Sequence, residues 1–171
     1  MTDQRHDIPM AAFISAQIVQ QAAHTGDFAL CVRSVERQHQ LSPGDLGEGL
    51  LISHVPSLLY CLIVVPKEIW ILSENDAVYA NIDKDWLLAL FTVELSEESF
   101  AKHPVYYLIH HLRNAVAHVN FSIAEDLRFT FWDQRNKTSA PYFRASASID
   151  SLQQFLSKIG AILANLRGTR C

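Results

Sequence analysis

The sequence predicts a mainly α protein, a helical bundle with a small antiparallel β meander before its last helix. The evidence is a change of period. Apolar residues recur at three- and four-residue steps as far as Val119, at every second residue from Phe121 to Ala147, and at helical steps again from Leu152 to Leu166. With 171 residues, 49% hydrophobic and 19% charged, the chain suits one domain over residues 1–171 with an ample core.

Asp7-Ile8-Pro9 is a helix entry, with Asp as cap and Pro in the first turn. The first helix then runs from Pro9 to Ala23 on Met10, Phe13, Ile14 and Ile18, and Thr25-Gly26-Asp27 ends it and starts the next. From Asp27 to His39, Phe28, Cys31, Val32 and Val35 are expected inside, with Arg33, Glu36 and Arg37 in water. His24 and His39 fall at helix C-termini, where a cation suits the dipole. Ser42-Pro43-Gly44-Asp45 has the form of a capping box with Pro at the first helical position. Pro56 to Leu72, apolar nearly all round through Leu58, Leu59, Leu62, Ile63, Ile69 and Trp70, predicts a central helix kinked or broken at Pro66. Ser73 to Asn81 reads as a polar connection. Asp83-Lys84-Asp85 opens a short helix that buries Trp86, Leu87, Leu90 and Phe91, and Ser96-Glu97-Glu98-Ser99 starts another turn. Glu94, Glu97 and Glu98 lack a partner motif and read as a solvated acidic face.

Pro104 to Val119 is the next long helix, with Val105, Leu108, Ile109, Leu112, Val116 and Val119 on its apolar arc. Phe121 and Ile123, then Leu127, Phe129 and Phe131, then Phe143, Ala145 and Ala147 alternate with polar residues as a three-strand meander. Glu125-Asp126 makes the first turn and Gln134 to Pro141 a longer loop. Asp150 is expected to cap a last helix carrying Leu152, Phe155, Leu156, Ile159, Ile162, Leu163 and Leu166, and Gly168 to stop it.

Several functions are disfavoured. The N-terminus shows no charged leader before an apolar core, and the most apolar run, Leu50 to Val65, is interrupted by Ser53, His54, Pro56 and Ser57, so neither export nor a membrane span is expected. Cys31, Cys61 and Cys171 are odd in number and widely spaced, which suits a reducing cytoplasm. Gly44, Gly47 and Gly49 lack the G-K-[ST] ending and preceding strand of a phosphate loop. The net charge of −4 conceals an asymmetry: residues 1–100 hold 5 Lys and Arg against 14 Asp and Glu, whereas residues 101–171 hold 9 against 4. The cationic half supplies Arg113, Arg128, Arg135, Lys137 and Arg144 as candidate phosphate contacts of modest, salt-sensitive affinity.

That half also holds the one cluster whose residue types carry chemistry. Opposite the apolar arc of the Pro104 to Val119 helix lie His110, Arg113, Asn114 and His118: a permanent forked cation, an amide, and imidazoles of a kind that titrates near neutral pH. Singly, such residues are ordinary surface or capping groups. His110, Asn114 and His118 share an i, i+4, i+8 face, but no carboxylate accompanies them and the H-E-x-x-H order is missing, so no metal or other cofactor is expected.

Arg113-Asn114-Ala115-Val116-Ala117-His118, an R-N-x-x-x-H string late in a helix and followed by short strands and a final helix, resembles the signature of the HEPN superfamily. The resemblance implies an HEPN-like helical bundle, a homodimer, and metal-independent cleavage of RNA, with the Arg and His of both copies meeting at the interface. It also admits members that have lost activity and only bind RNA, a nucleotide or a protein. On the first reading the chain is an endoribonuclease, a toxin or defence component with an antitoxin as a further partner, whose substrate RNA supplies its own 2′-hydroxyl as nucleophile. His118 then moves protons, Arg113 grips the phosphate, Asn114 orients the imidazole or bonds the phosphate, and His110, Arg128 and Arg144 help to bind the substrate. One chain lacks a second proton carrier, which the dimer implied by the resemblance supplies.

Overall fold

The computed structural model describes residues 8–44, 46–66 and 77–170. Its elements are α1 (Ile8–Thr25), α2 (Asp27–Gln38), α3 (Gly47–Leu59) running into a π-helical turn (Tyr60–Val64), α4 (Ala77–Ala80), α5 (Lys84–Leu90), β1 (Thr92–Leu95), a 3-10 turn (Glu98–Ala101), α6 (Pro104–Ala117), β2 (Phe121–Ile123), β3 (Arg128–Asp133), β4 (Phe143–Ser148) and α7 (Ile149–Arg170). The fold is mainly helical, with one four-stranded antiparallel sheet in the order β1-β4-β3-β2. Among the described residues, no helix is long and apolar enough to cross a membrane.

The expected meander forms β2, β3 and β4, joined by a fourth strand that the pattern does not announce. β1 is an edge strand of 4 residues whose partner β4 lies far along the chain, and the register steps from Val93↔Ala145 to Leu95↔Arg144, leaving Glu94 as a bulge. One face of the sheet carries Phe129, Phe131, Phe143, Ala145 and Ala147, all buried, under α6 and α7. Leu108 and Leu112 of α6 and Leu152, Phe155 and Leu156 of α7 complete this core, and Phe91 packs edge-on against Phe155 with centroids 5.4 Å apart.

The disturbance expected at Pro66 sits one turn earlier. A Pro ring crowds the carbonyl four residues before it, here Leu62, and widening the helix to a π turn over Tyr60–Val64 moves that carbonyl aside. The predicted stretch through Ile69, Trp70 and Leu72, and Ser73 to Asp76 of the connection, lie outside the described residues, as do Asp7, Asp45 and Cys171. Asp83 caps α5 as expected, accepting from the Trp86 N–H at 2.7 Å.

Several expected faces and ends are corrected. In α1 the inward residues are Pro9, Ala12, Phe13 and Ala16, whose small members allow close approach, while Ile14 and Ile18 are exposed. The Phe13 ring lies against Gly160 of α7, where an added Cβ would collide with it. In α2, Val32 and Glu36 are buried while Cys31 and Val35 are exposed. Glu36 turns inward because its Oε1 accepts from the N–H groups of Gly44 (2.9 Å) and Leu46 (3.1 Å), satisfying a loop that would otherwise bury bare donors. That loop holds Pro43 and Gly44 (φ 101°) in a turn, so α3 starts at Gly47 and the capping-box form at Ser42 does not open it. At α7 the cap is Ser148, accepting from the Ser151 N–H at 3.1 Å, rather than Asp150, and the helix runs on through Gly168.

Candidate functional site

Pro104 begins α6 at a position where its missing N–H costs nothing, and the helix ends at Ala117, not Val119. His118 is the C-cap. Beyond it the N–H of Val119 bonds the Val116 carbonyl (3.2 Å) and that of Asn120 the Ala115 carbonyl (2.7 Å), a paired closure that requires a left-handed residue. Val119 fills that place at φ 57° and is 72% exposed, so the expected apolar contact is replaced by a strained, solvent-facing β-branched residue. Asn120 then accepts from the Trp132 N–H at 3.1 Å, fastening the helix end to β3.

The polar side of α6 meets the end of β3. The alternation that buries Phe129 and Phe131 continues to Asp133, which is 2% exposed and points at the helix. Its Oδ2 lies 2.9 Å from His111 Nδ1 and accepts from Asn114 Nδ2 at 2.8 Å. The Tyr142 hydroxyl lies near enough to the carboxylate to favour its charged form. Burial pushes the Asp133 carboxyl up, but the hydrogen bonds from His111 and Asn114, the Tyr142 hydroxyl and the His111 charge outweigh it and hold the pKa below the usual carboxylate value. The ionised carboxylate is acceptor-only, so the His111 Nδ1 carries a hydrogen toward it. Tyr142 is pushed up to about 12, by burial first and then by the Asp133 charge.

Asn114 relays this anchor. Its amide nitrogen donates to Asp133 and lies 3.3 Å from His110 Nε2, while its Oδ1 accepts from Arg113 Nη1 at 2.8 Å. The His110 ring stacks on Tyr106 (centroids 5.6 Å, 23°) and the His111 ring on Phe143 (4.5 Å, 21°). His111 is therefore a buried bracket between α6 and the sheet, at 4% exposure, rather than a group open to a ligand.

The structure thus joins His110, Arg113 and Asn114 in one network and leaves His118 exposed at the end of the same helix. Arg128 and Arg144 do not join them, since both lie on the far face of the sheet. Asp133, His111 and Tyr142 are the members that sequence reasoning missed. Two signals pointed to them: His111 stands three residues after Leu108 and four before Ala115 on the buried face, and Asp133 continues the apolar phase of β3. Among the described residues, no group of three His, Cys, Asp or Glu side chains converges to hold a metal ion.

A helical domain closed by a small antiparallel sheet, with R-N-x-x-x-H ending the helix that packs on it, has the features of the HEPN class. A family model described as HEPN pEK499 p136 matches residues 32–169, and the chain belongs to that family. No curated protein and no solved structure gives a match.

Proposed function

We propose that this protein is a metal-independent endoribonuclease that acts as a homodimer, with Arg113 and His118 as its catalytic residues. The supporting observation is the anchored cation. Asp133 fixes Asn114, Asn114 holds the Arg113 guanidinium at 2.8 Å, and His118 stands uncovered on the same helix end. Asn114 has its donors committed to Asp133 and His110, so its part is to position Arg113 rather than to bond the phosphate.

In the reaction, one His118 imidazole takes the proton of the substrate's 2′-hydroxyl, whose oxygen bonds the adjacent phosphorus. The bond from phosphorus to the 5′-oxygen breaks, and the His118 imidazolium of the partner protonates that oxygen. The products are a 2′,3′-cyclic phosphate and a 5′-hydroxyl. Arg113 stabilises the charge gathered on the phosphorane through its forked donors. HEPN membership fits a toxic or defensive setting in which an antitoxin protein restrains the enzyme. The test is incubation of the purified protein and of His118→Ala with mixed RNA: the first cuts and the second does not.

A further inference from the structure

The face of the sheet turned away from α6 and α7 has an organisation of its own. Register places Thr92, Ser146, Thr130 and Ser122 side by side across all 4 strands, a row of hydroxyl groups spanning the sheet. The next row toward the Asp133 end is Leu95, Arg144 and Trp132, with Arg144 directly opposite Trp132. The row on the other side is Ser148 and Arg128. Strands stand about 4.8 Å apart and rows about 6.6 Å, so an indole, two guanidiniums and the accessible hydroxyls of Thr92, Thr130 and Ser122 share one small surface.

This face differs from the other in exposure and charge. Phe129, Phe131, Phe143 and Ala145 on the inner face have 0% exposure, whereas Arg128, Arg144, Thr92, Leu95 and Ser122 are exposed and Trp132 and Thr130 are half-buried; Ser146, between Thr92 and Thr130, is buried at 5%. Two carboxylates border these positions: Asp126, in the turn at one edge, pairs with Arg128 at 3.7 Å, and Glu94, exposed at the β1 bulge, adjoins the Leu95 and Arg144 row, so the cationic surface is centred on Arg144 and Trp132 rather than on the β1 edge. Three of its strands, β2, β3 and β4, belong to the cationic half of the chain, while β1 comes from the acidic half.

We infer that this outer face binds single-stranded RNA, with a base stacked on Trp132, a phosphate on Arg144 and the accessible hydroxyls of Thr130 and Ser122 along the sugar-phosphate backbone. Indole stacking tolerates any base but needs one splayed out of a duplex, and guanidinium and hydroxyl groups are the usual partners of phosphate oxygens. The inference rests on the ribonuclease reading for its ligand class and adds to it a substrate site. Trp132 and Asp133 are consecutive and face opposite ways, so the platform and the Arg113 network share one strand end.

The experiment measures binding without cleavage. The full chain carrying His118→Ala is titrated with a fluorescent single-stranded oligouridylate and with an RNA duplex of equal length. In that background Trp132→Ala and Arg144→Ala should each weaken single-strand binding about tenfold, Arg144→Ala should lower the salt dependence by about one counterion, and the duplex should bind less tightly throughout. Thr130→Val, which removes one hydroxyl without changing the shape of the side chain, should weaken binding a few-fold, and it covers the case in which Trp132→Ala does not fold. Single-strand affinity unchanged in the folded Arg144→Ala and Thr130→Val variants overturns the inference. So does duplex binding as tight as single-strand binding. Loss of a dimer in light scattering on Trp132→Ala, with RNA affinity retained, also overturns it and assigns the face to self-association. Binding that follows this pattern when the wild-type chain cuts nothing defeats the ribonuclease reading and leaves the platform standing.

Discussion

Asn114 of α6 donates to Asp133 of β3 at 2.8 Å, across a gap of 19 positions in the chain, and this bond ties the Arg113 guanidinium to the sheet. Asp133→Asn replaces an acceptor-only group with one that turns a donor toward His111 or Asn114, so at neutral pH it should cost about 2 kcal/mol. An Asp whose folded pKa lies below its unfolded value of about 3.9 contributes stability that is present above that value and lost as pH falls through the folded one. The stability gap between wild type and Asp133→Asn should therefore be full at neutral pH and close on acidification. Denaturant unfolding across that range checks it, and a gap that widens in acid would contradict the account.

The same relay predicts non-additive kinetics. Asp133→Asn should lower kcat, and the loss should largely vanish in an Asn114→Ala background because both changes release the same guanidinium. Full additivity would mean that Asp133 acts by another route.

How far this arrangement was legible in the sequence depends on range. Pro104 and the spacing of Leu108, Leu112 and Val116 announce α6, and the alternation of Phe129 with Phe131 announces β3, because each depends on neighbours a few residues apart. The pairing of His111 with Asp133 spans 22 positions, and nothing local states that the two meet. β1 was missed for a similar reason, being 4 residues whose partner lies beyond α6. The inward turn of Glu36 follows from loop N–H groups that need an acceptor, which composition does not reveal.

Val119 at φ 57° carries a β-branched side chain where the helix closure favours glycine, and at 72% exposure it has little packing to lose. Val119→Gly should stabilise the protein by about 1 kcal/mol, against the usual sign for introducing glycine. Thermal unfolding decides it, and a lowered Tm would show that the strain is not carried there.

Gly160 receives the Phe13 ring, and any Cβ there would strike it. Gly160→Ala should destabilise by about 2 kcal/mol, and Phe13→Leu in the same chain should recover part of the loss by vacating the contact. Equal losses in the single and double variants would place the strain elsewhere.

Arg113→Ala should reduce RNA cleavage about 100-fold or more while leaving the fold intact, and Arg113→Lys should recover little, since an ammonium keeps the charge without the forked geometry. Activity should survive a strong chelator. Loss with EDTA and rescue by Mg²⁺ or Mn²⁺ would overturn the assignment of roles.

The most direct test of the ribonuclease reading is end-group analysis of an oligonucleotide cut by the wild-type protein, run beside folded His118→Ala. The expected result is a 2′,3′-cyclic phosphate or its opened form and a 5′-hydroxyl, no cutting where the 2′-hydroxyl is removed, and a loss of about 100-fold or more in His118→Ala. Ends bearing a 5′-phosphate, or a folded His118→Ala that cuts as fast as wild type, would contradict it.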